Sequence, residues 1–358
     1  MPSGGAVASA NFDIFIAGKE SEDNDLQSCI VDQDIFQPDM AAVLLSNQGD
    51  KYSATSIGDT LEVKVKGNDS VIFEGEVVGL EPVYRGGGKT TILVRGMNKL
   101  HRLLRKRESM TFTDKSDQQI LSQVVKSAGL SLEWKHDKSI TYKHVYQHNQ
   151  TDLEFLRTRA ARMGCHVWCV GNKVFVKQPD MTGAPVAKID VDDTGKGGPD
   201  MAQLLRLAPR LNSSSIVKKV TVKGWNPETK ELIVGNATVK GSKLGSQNAA
   251  AAASKLAEQE TFTVDHPIWS VEEAKALAEA RLQDLSLSYI TGEAEVAGNP
   301  KFALGKLVQV KANAMKADDP FNGKYYIMGV THRHILAKAK DQGGYTTIAR
   351  FARDAQKE

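Results

Sequence analysis

Alternation with a period of two constrains this chain more than any other feature. In Thr60-Leu61-Glu62-Val63-Lys64-Val65-Lys66 the apolar residues fall on one face and the charges on the other, the pattern of an antiparallel strand with one side buried. Gly67-Asn68-Asp69 supplies a turn, and Val71 to Val78 and Thr90 to Arg95 continue the strand pattern around the Gly-rich loop Arg85-Gly86-Gly87-Gly88-Lys89. Short strands joined by turns from Phe12 to about Leu104 imply a barrel or sandwich.

The period changes after Lys106. Ser116 to Gly129 sets Ile120, Leu121, Val124, Val125 and Ala128 on one helical face, and Thr151 to Gly164 does the same with Leu153, Leu156, Ala160 and Met163; each run stops at a glycine. Cys165–Val170 and Lys173–Lys177 then flank Gly171-Asn172, a two-residue hairpin signal. Met181 to Asp200 is rich in Gly, Pro and Asp and reads as a linker or long loop. Strand patterns return at Ile216–Lys223, Tyr289–Val296, Lys306–Lys311, Lys324–Ile335 and Tyr345–Phe351, interrupted by helical sequence at 246–258 and 271–285. Ser270 and Glu273 form a candidate capping box for the second of these helices.

The expected class is therefore α+β, mainly β. Residues 1–10 are a tail, 11–105 a first barrel-like unit, 106–180 a small α+β domain and 181–210 a linker. A second barrel follows at 211–353 with a helical insertion at about 246–285, and 354–358 form a short tail. No short repeat is visible, yet the β, α+β, β order allows two barrel-like units in one chain.

Charge names no partner, because 46 Lys+Arg against 43 Asp+Glu leave +3 on 358 residues. Met1 to Ala10 lacks the basic and apolar regions of a secretion signal, and no apolar run approaches the ~18 residues of a membrane span. Three cysteines, Cys29, Cys165 and Cys169, fit a reducing compartment, so assembly in a cytoplasm is expected.

Candidate chemical motifs are weak. Gly88-Lys89-Thr90 lacks the leading glycine of a phosphate loop, since position 83 is Val83, and strand sequence follows it. In Cys165-His166-Val167-Trp168-Cys169 the imidazole would point away from both thiols on a strand, so buried thiols are expected rather than a zinc site. His332 with His334, and His144 with His148 if helical, lack a third ligand at a recognisable spacing. The basic run His101–Arg107 has no interleaved aromatics and reads as a solvated or ion-paired face. Neither a nucleophile elbow, a zincin helix nor a local carboxylate pair is present, and no catalytic residue, metal or cofactor is expected.

A longer pattern is more specific. Tyr146-Gln147-His148-Asn149-Gln150-Thr151-Asp152-Leu153-Glu154-Phe155-Leu156-Arg157 followed by Arg159 to Trp168 resembles the signature of the late control gene D family, baseplate hub proteins of contractile phage tails and the N-terminal hub region of the type VI spike protein VgrG. Val222-Lys223-Gly224-Trp225-Asn226-Pro227 is a second match. A third runs from Gly292 through Gly298-Asn299-Pro300, Gly323-Lys324-Tyr325-Tyr326 and His332 to Gly344-Tyr345. Gly96 to Leu103 resembles the family's link out of its first barrel. In order, the matches cover about residues 10–353.

The resemblance implies that Tyr146, Asp152, Leu153, Phe155, Leu156, Gly164, Gly224, Trp225, Gly298, Pro300, Gly323, Tyr325, Tyr326, His332, Gly344 and Tyr345 form the fold rather than catalyse. It implies two tail-tube-like barrels per chain and a homotrimer whose pseudo-sixfold ring adapts a hexameric inner tube to a threefold spike. The implied partners are the chain itself, the inner tube protein, other baseplate proteins and a separate spike protein, because no spike region follows the second barrel before Glu358. DNA or effector cargo would pass through the lumen, and the particle would be a virion or a phage-tail-like machine. A host-surface adhesin or other structural tail component, and last a cell-wall-degrading enzyme, are the alternatives.

Overall fold

A computed structural model describes residues 12–67, 70–87, 90–193, 198–252, 254, 258–263, 268–313, 315–336 and 344–357, with the backbone alone at 258–261 and 263. The alternating N-terminal segments form β1 (Phe12–Ile16), β2 (Lys19–Glu20), β3 (Leu26–Asp34), β4 (Gln37–Ser46), β5 (Thr60–Val65), β6 (Ser70–Val83) and β7 (Thr91–Met97). They pair antiparallel in the order β3-β4-β7-β6-β5-β1-β2. Leu61, Val63 and Val65 point inward beside Phe12, Ile14, Val31 and Val43, as the alternation requires.

The middle of the chain forms β8 (Arg107–Ser116), α1 (Asp117–Ser127), β9 (Ser131–Lys135), β10 (Thr141–Thr151), α2 (Asp152–Arg162), β11 (His166–Val170) and β12 (Lys173–Lys177). Both helices open on reciprocal caps, Ser116 with Gln119 and Thr151 with Glu154, each worth about 1 kcal/mol. Leu153, Phe155, Leu156 and Ala160 of α2 share a core with Phe112, Ile120, Leu121 and Val124. The β11–β12 hairpin turns at Gly171-Asn172, as expected, and β9 joins β12 in parallel.

The segment 181–210 is more than a linker, for it carries β13 (Pro185–Asp190) and β14 (Leu204–Leu211). Only Ala187 and Ile189 of β13 are buried, too few apolar residues to stand out among turn formers. Next come β15 (Val217–Asn226), β16 (Glu231–Thr238), β17 (Gln247–Asn248), α3 (Ala249–Ala252), β18 (Glu258–Thr263) and α4 (Val271–Leu287). Among the described residues of the helix expected at 246–258, only the four of α3 are helical, while 247–248 and 258 are strand. A short alanine run has little to hold it, whereas Thr261-Phe262-Thr263 suits a strand. β16, β15 and β18 make a separate three-stranded sheet covered by α4, so the strand expected at Ile216–Lys223 lies outside the large sheet.

The helix expected at 271–285 is present as α4, but its cap is one-sided. Ser270 Oγ accepts from Glu273 N at 3.1 Å, while the Glu273 carboxylate accepts from Trp269 N (3.0 Å) and from the buried Arg162 guanidinium of α2 (2.6 Å). A charged donor outcompetes the cap amide.

The chain ends with β19 (Ile290–Ala297), β20 (Leu307–Lys311), β21 (Gly323–Ile335), β22 (Gly344–Arg353) and β23 (Ala355–Gln356). Here the pairing order is β13-β20-β21-β22-β19-β14, and in the first set it is β1-β5-β6-β7-β4-β3. Taken in chain order, the six strands of each set correspond one to one. The β13·β20 pair is parallel where β1·β5 is antiparallel; the other pairs agree.

The correspondence reaches single residues. β6 and β21 each bulge just before a glycine, Gly79 or Gly329, that stands opposite an arginine, Arg95 or Arg350. Gly58 N donates to Val77 O and Val77 N to Asp59 O, both at 2.8 Å; Gly305 N donates to Ile327 O (3.0 Å) and Ile327 N to Lys306 O (2.8 Å). The repeat is absent from short sequence motifs because it resides in pairing and bulge positions, which many side chains satisfy.

Phe155 tests the central core: its ring is buried and stacks on Phe112, with centroids 5.7 Å apart. Phe155→Ala is expected to lower unfolding stability by about 3–5 kcal/mol, measured by denaturant titration; an unchanged midpoint contradicts the assignment.

Candidate functional site: a sheet-to-sheet joint and two free edges

The two strand sets are joined edge to edge. The C-terminal part of β21 pairs antiparallel with β3, from Gly329 opposite Asp34 to Ile335 opposite Ser28. Ile35 N donates to Met328 O (3.2 Å) and Leu336 N to Gln27 O (2.9 Å) at the two ends. By the alternation of an antiparallel ladder, Val330/Gln33, His332/Val31 and His334/Cys29 are the pairs that exchange backbone hydrogen bonds. Arg350 straddles the joint, reaching Asp32 Oδ1 (3.2 Å), Asp34 Oδ2 (3.1 Å) and Gln33 O (3.3 Å). Thr331 Oγ1 donates to Asp32 Oδ1 at 2.7 Å. Gly329 permits this, because a Cβ there would lie 2.5 Å from Arg350 Nε.

Among the edges of the large sheet without a further partner strand in the described residues, two correspond to the strands of this joint. β14 closes one end of the large sheet and pairs only with β19. The outer half of β6, from Val78 to Val83, pairs with β7 on one side and extends past β5 on the other. Its counterpart in β21 is the stretch that holds β3. Leu205, Arg206, Arg210 and Leu211 of β14 are exposed, as are Glu81, Pro82, Val83 and the following Tyr84.

The residues singled out in the sequence fall into several groups. Leu153, Phe155 and Leu156 are core, and buried Asp152 accepts from Gln147 Nε2 at 3.0 Å. Gly164 takes φ +65° after α2, where a Cβ would lie 3.3 Å from Ala280 Cα. Gly298, His332 and Tyr345 meet: a Cβ on Gly298 would lie 2.0 Å from the Tyr345 ring, and Tyr345 Oη lies 2.7 Å from His332 Nδ1. Tyr345 enters the first core, edge-on to Phe12 at 4.7 Å, although it belongs to β22. Gly344, at φ +119°, starts that strand.

Gly323 and Tyr325 surround the buried Arg353, which donates to Leu244 O (2.9 Å) and Asn322 O and lies over the Tyr325 ring. Tyr326 is buried, with its hydroxyl 3.0 Å from His166 Nδ1. Gly224 lies beneath Ile268, and Pro300 is partly buried just after β19. Tyr146 and Trp225 are half-exposed, so neither is a core residue of this chain. Asp32, Asp34, Arg350 and Arg353 give no signal in the sequence, because isolated charges within alternating strands look like ordinary solvent-facing positions.

The weaker motifs resolve into packing and ion pairs. His101 Nε2 lies 2.8 Å from Glu76, and Arg102 binds the same carboxylate, holding it well down at about 2. Arg107 donates to Asn149 O and Glu154. Cys29, Cys165 and Cys169 are free and buried, which pushes their thiols up. His144 and His148 lie on strand β10, not a helix, and both are exposed. Gly88 and Lys89 fall outside the described residues. Among the described residues, no helix is long and apolar enough to cross a membrane.

Comparison with known proteins places this geometry. A family model described as the Alg8 N-terminal domain matches residues 45–335. The chain belongs to the Alg8 N-terminal domain family. The match takes in β21 but not its partner β3, and most of the strands of the two sets. No curated protein matches.

Several solved structures share the fold. The tail protein from Neisseria meningitidis MC58 superposes with a TM-score of 0.71 at 13% identity, covering 97% of each chain. The 43 kDa tail protein of prophage MuSo2 from Shewanella oneidensis gives 0.70 at 17% identity, covering 97% of this chain and 100% of that one. An E. coli protein described as a component of the type VI secretion system gives 0.60 at 10% identity, covering 94% and 76%. These likenesses establish a shared fold.

Burial holds the His332 imidazole down at about 4, against about 6.5 when unfolded. The unfolded chain therefore takes up the proton first, and this contribution to stability is lost as pH falls from about 6.5 to about 4. Between pH 7 and 4 the wild type is expected to lose about 2–3 kcal/mol more than His332→Gln, measured by denaturant unfolding at each pH; equal losses contradict the burial of a neutral imidazole.

Proposed function

We propose that the chain is a structural baseplate hub of the late control gene D and VgrG N-terminal type. In this reading it is a homotrimer that adapts a hexameric inner tube to a threefold spike in a contractile tail or injection machine. The observation that carries the reading is the repeated six-strand set, placed twice in one chain and joined edge to edge. Two equivalent units per chain are what a threefold assembly needs to present six positions to a hexameric tube. The shared fold with phage tail proteins and a type VI secretion component supports this reading.

The work done is mechanical and geometric rather than catalytic. The inner tube, the spike and other baseplate proteins are its partners, and DNA or effector cargo passes through the lumen. The chain assembles in a cytoplasm and ends in the baseplate of a virion or phage-tail-like particle. Electron microscopy of the purified chain, alone and with its spike and tube proteins, combined with mass in solution, tests this. Rings of three chains with apparent sixfold outline are expected; a monomer under every condition overturns the reading.

A further inference from the structure

We infer that the free edge of β14 takes the outer half of β6 from a second copy of this chain, in the register that β3 and β21 use within one chain. The inference rests on the hub reading and deepens it by naming the contact between subunits. In the repeat, β14 corresponds to β3 and β6 to β21. The internal joint pairs the β3 position with the β21 position, so among the described residues the β14 edge and the outer half of β6 are left without the equivalent partner.

The register follows from residue correspondence. Gly79 corresponds to Gly329 through their shared bulge and opposing arginine. Val31 pairs with Ala41 and Ile30 with Ala42; Pro209 pairs with Gly292 and Ala208 with Glu293. Since Ala41 and Gly292 stand beside Gly96 and Phe351 respectively, Val31 corresponds to Pro209 and Asp32 to Arg210. Transferring the β3·β21 ladder then places Leu80 opposite Leu211, Glu81 opposite Arg210 and Pro82 opposite Pro209 of the neighbouring copy.

Three features of this register support it. Glu81 and Arg210 are both exposed and of opposite charge, and they occupy the positions of Thr331 and Asp32, which bond to each other across the internal joint. The charges are also rearranged: β3 brings the acids to the internal joint, while at the external one Arg210 comes from β14, Glu81 from β6, and Arg95 of β7 holds the place of Arg350. Glu81 already binds Arg95 within the chain (Nε–Oε1 2.5 Å), so Arg210 would join a shared carboxylate. Both prolines are compatible with their own sheets. Asn212 N donates inward to Tyr289 O at 2.8 Å, so by alternation the Pro209 nitrogen points outward, where an edge strand tolerates proline. Pro82 holds the position of His332, whose N–H also points across the joint. The external ladder therefore lacks the two hydrogen bonds that His332 and Val31 exchange inside the chain. It is held by the Leu80/Leu211 rung and the Glu81–Arg210 pair, and is the weaker of the two joints.

Cysteine cross-linking of full-length chains tests the register. Glu81 and Arg210 would form a pair without mutual backbone hydrogen bonds, with Cα atoms about 4.5 Å apart, within disulfide range. Glu81→Cys and Arg210→Cys chains are mixed, assembled and oxidised, then sized under non-reducing conditions. The expected product is a heterodimer at about ten times the yield from a shifted pair, Val83→Cys with Arg210→Cys, given the strict geometry of disulfides. Wild type is the control, its three cysteines being buried. Assembly mass and ring images of the same samples separate the two claims. Rings without the cross-link overturn this interface and leave the hub reading standing; monomers that neither cross-link nor form rings overturn both. Arg210→Glu is expected to weaken assembly, and adding Glu81→Arg together with Arg95→Glu, which keeps the pair that Glu81 and Arg95 make within one chain, to restore it; failure of the reversed set to restore the rings that Arg210→Glu loses also overturns the register.

Discussion

The pairing of β21 with β3 is the contact on which the rest of the structure depends. Among the described residues it is the one place where a hydrogen-bonded ladder crosses from the first strand set to the second. It is reinforced on both faces. Arg350 reaches Asp32 and Asp34 on the more open side, and Tyr345 passes from β22 into the first core on the other. A partly exposed ion pair alone contributes no more than about 1 kcal/mol. Its value here lies in register: a slip of one residue would turn every side chain of the strand to the opposite face, burying charge and exposing the apolar set.

The middle of the chain is anchored by buried charges rather than by more strand pairing. Arg159 and Tyr142 share Asp117, joining α2, β10 and α1. Arg162 reaches Glu273, joining α2 to α4. Arg353 satisfies carbonyls of Leu244 and Asn322 from within the second core. Such pairs add little net stability over apolar packing, but removal of one partner strands a buried charge. Each therefore penalises arrangements in which α2, α4 or the loop before β21 sits elsewhere.

Local signals made much of the fold legible in the sequence. The strand Thr60–Val65, the helices ended by Gly129 and Gly164 and the Gly171-Asn172 hairpin all depend on patterns within a dozen residues. What was hidden depends on distant partners. β13 and β14 lie in a stretch whose Gly, Pro and Asp content resembles a linker, and become strands because β20 and β19 offer them edges. β18 is a strand because β15 lies beside it. The candidate site was less legible still: Asp32, Glu81, Arg210 and Arg350 carry no local signature, and their relation emerges only when the two strand orders are laid over each other.

Duplication within one chain has a physical consequence that a ring of identical single units lacks. Identical units share one joint chemistry, so every joint has the same strength and the same susceptibility to mispairing. Two copies in one chain free the internal and external edges to diverge. The internal edge keeps Val31 and His332, whose N–H groups complete the ladder, and it is further secured by the covalent chain. The outer edges carry Pro209 and Pro82 instead, which remove donors that would otherwise invite any passing strand. An edge with fewer backbone donors depends more on side-chain charge for its choice of partner, and the exposed Arg210 and Glu81 are of opposite sign. The sequence thus protects the outer edges from general aggregation.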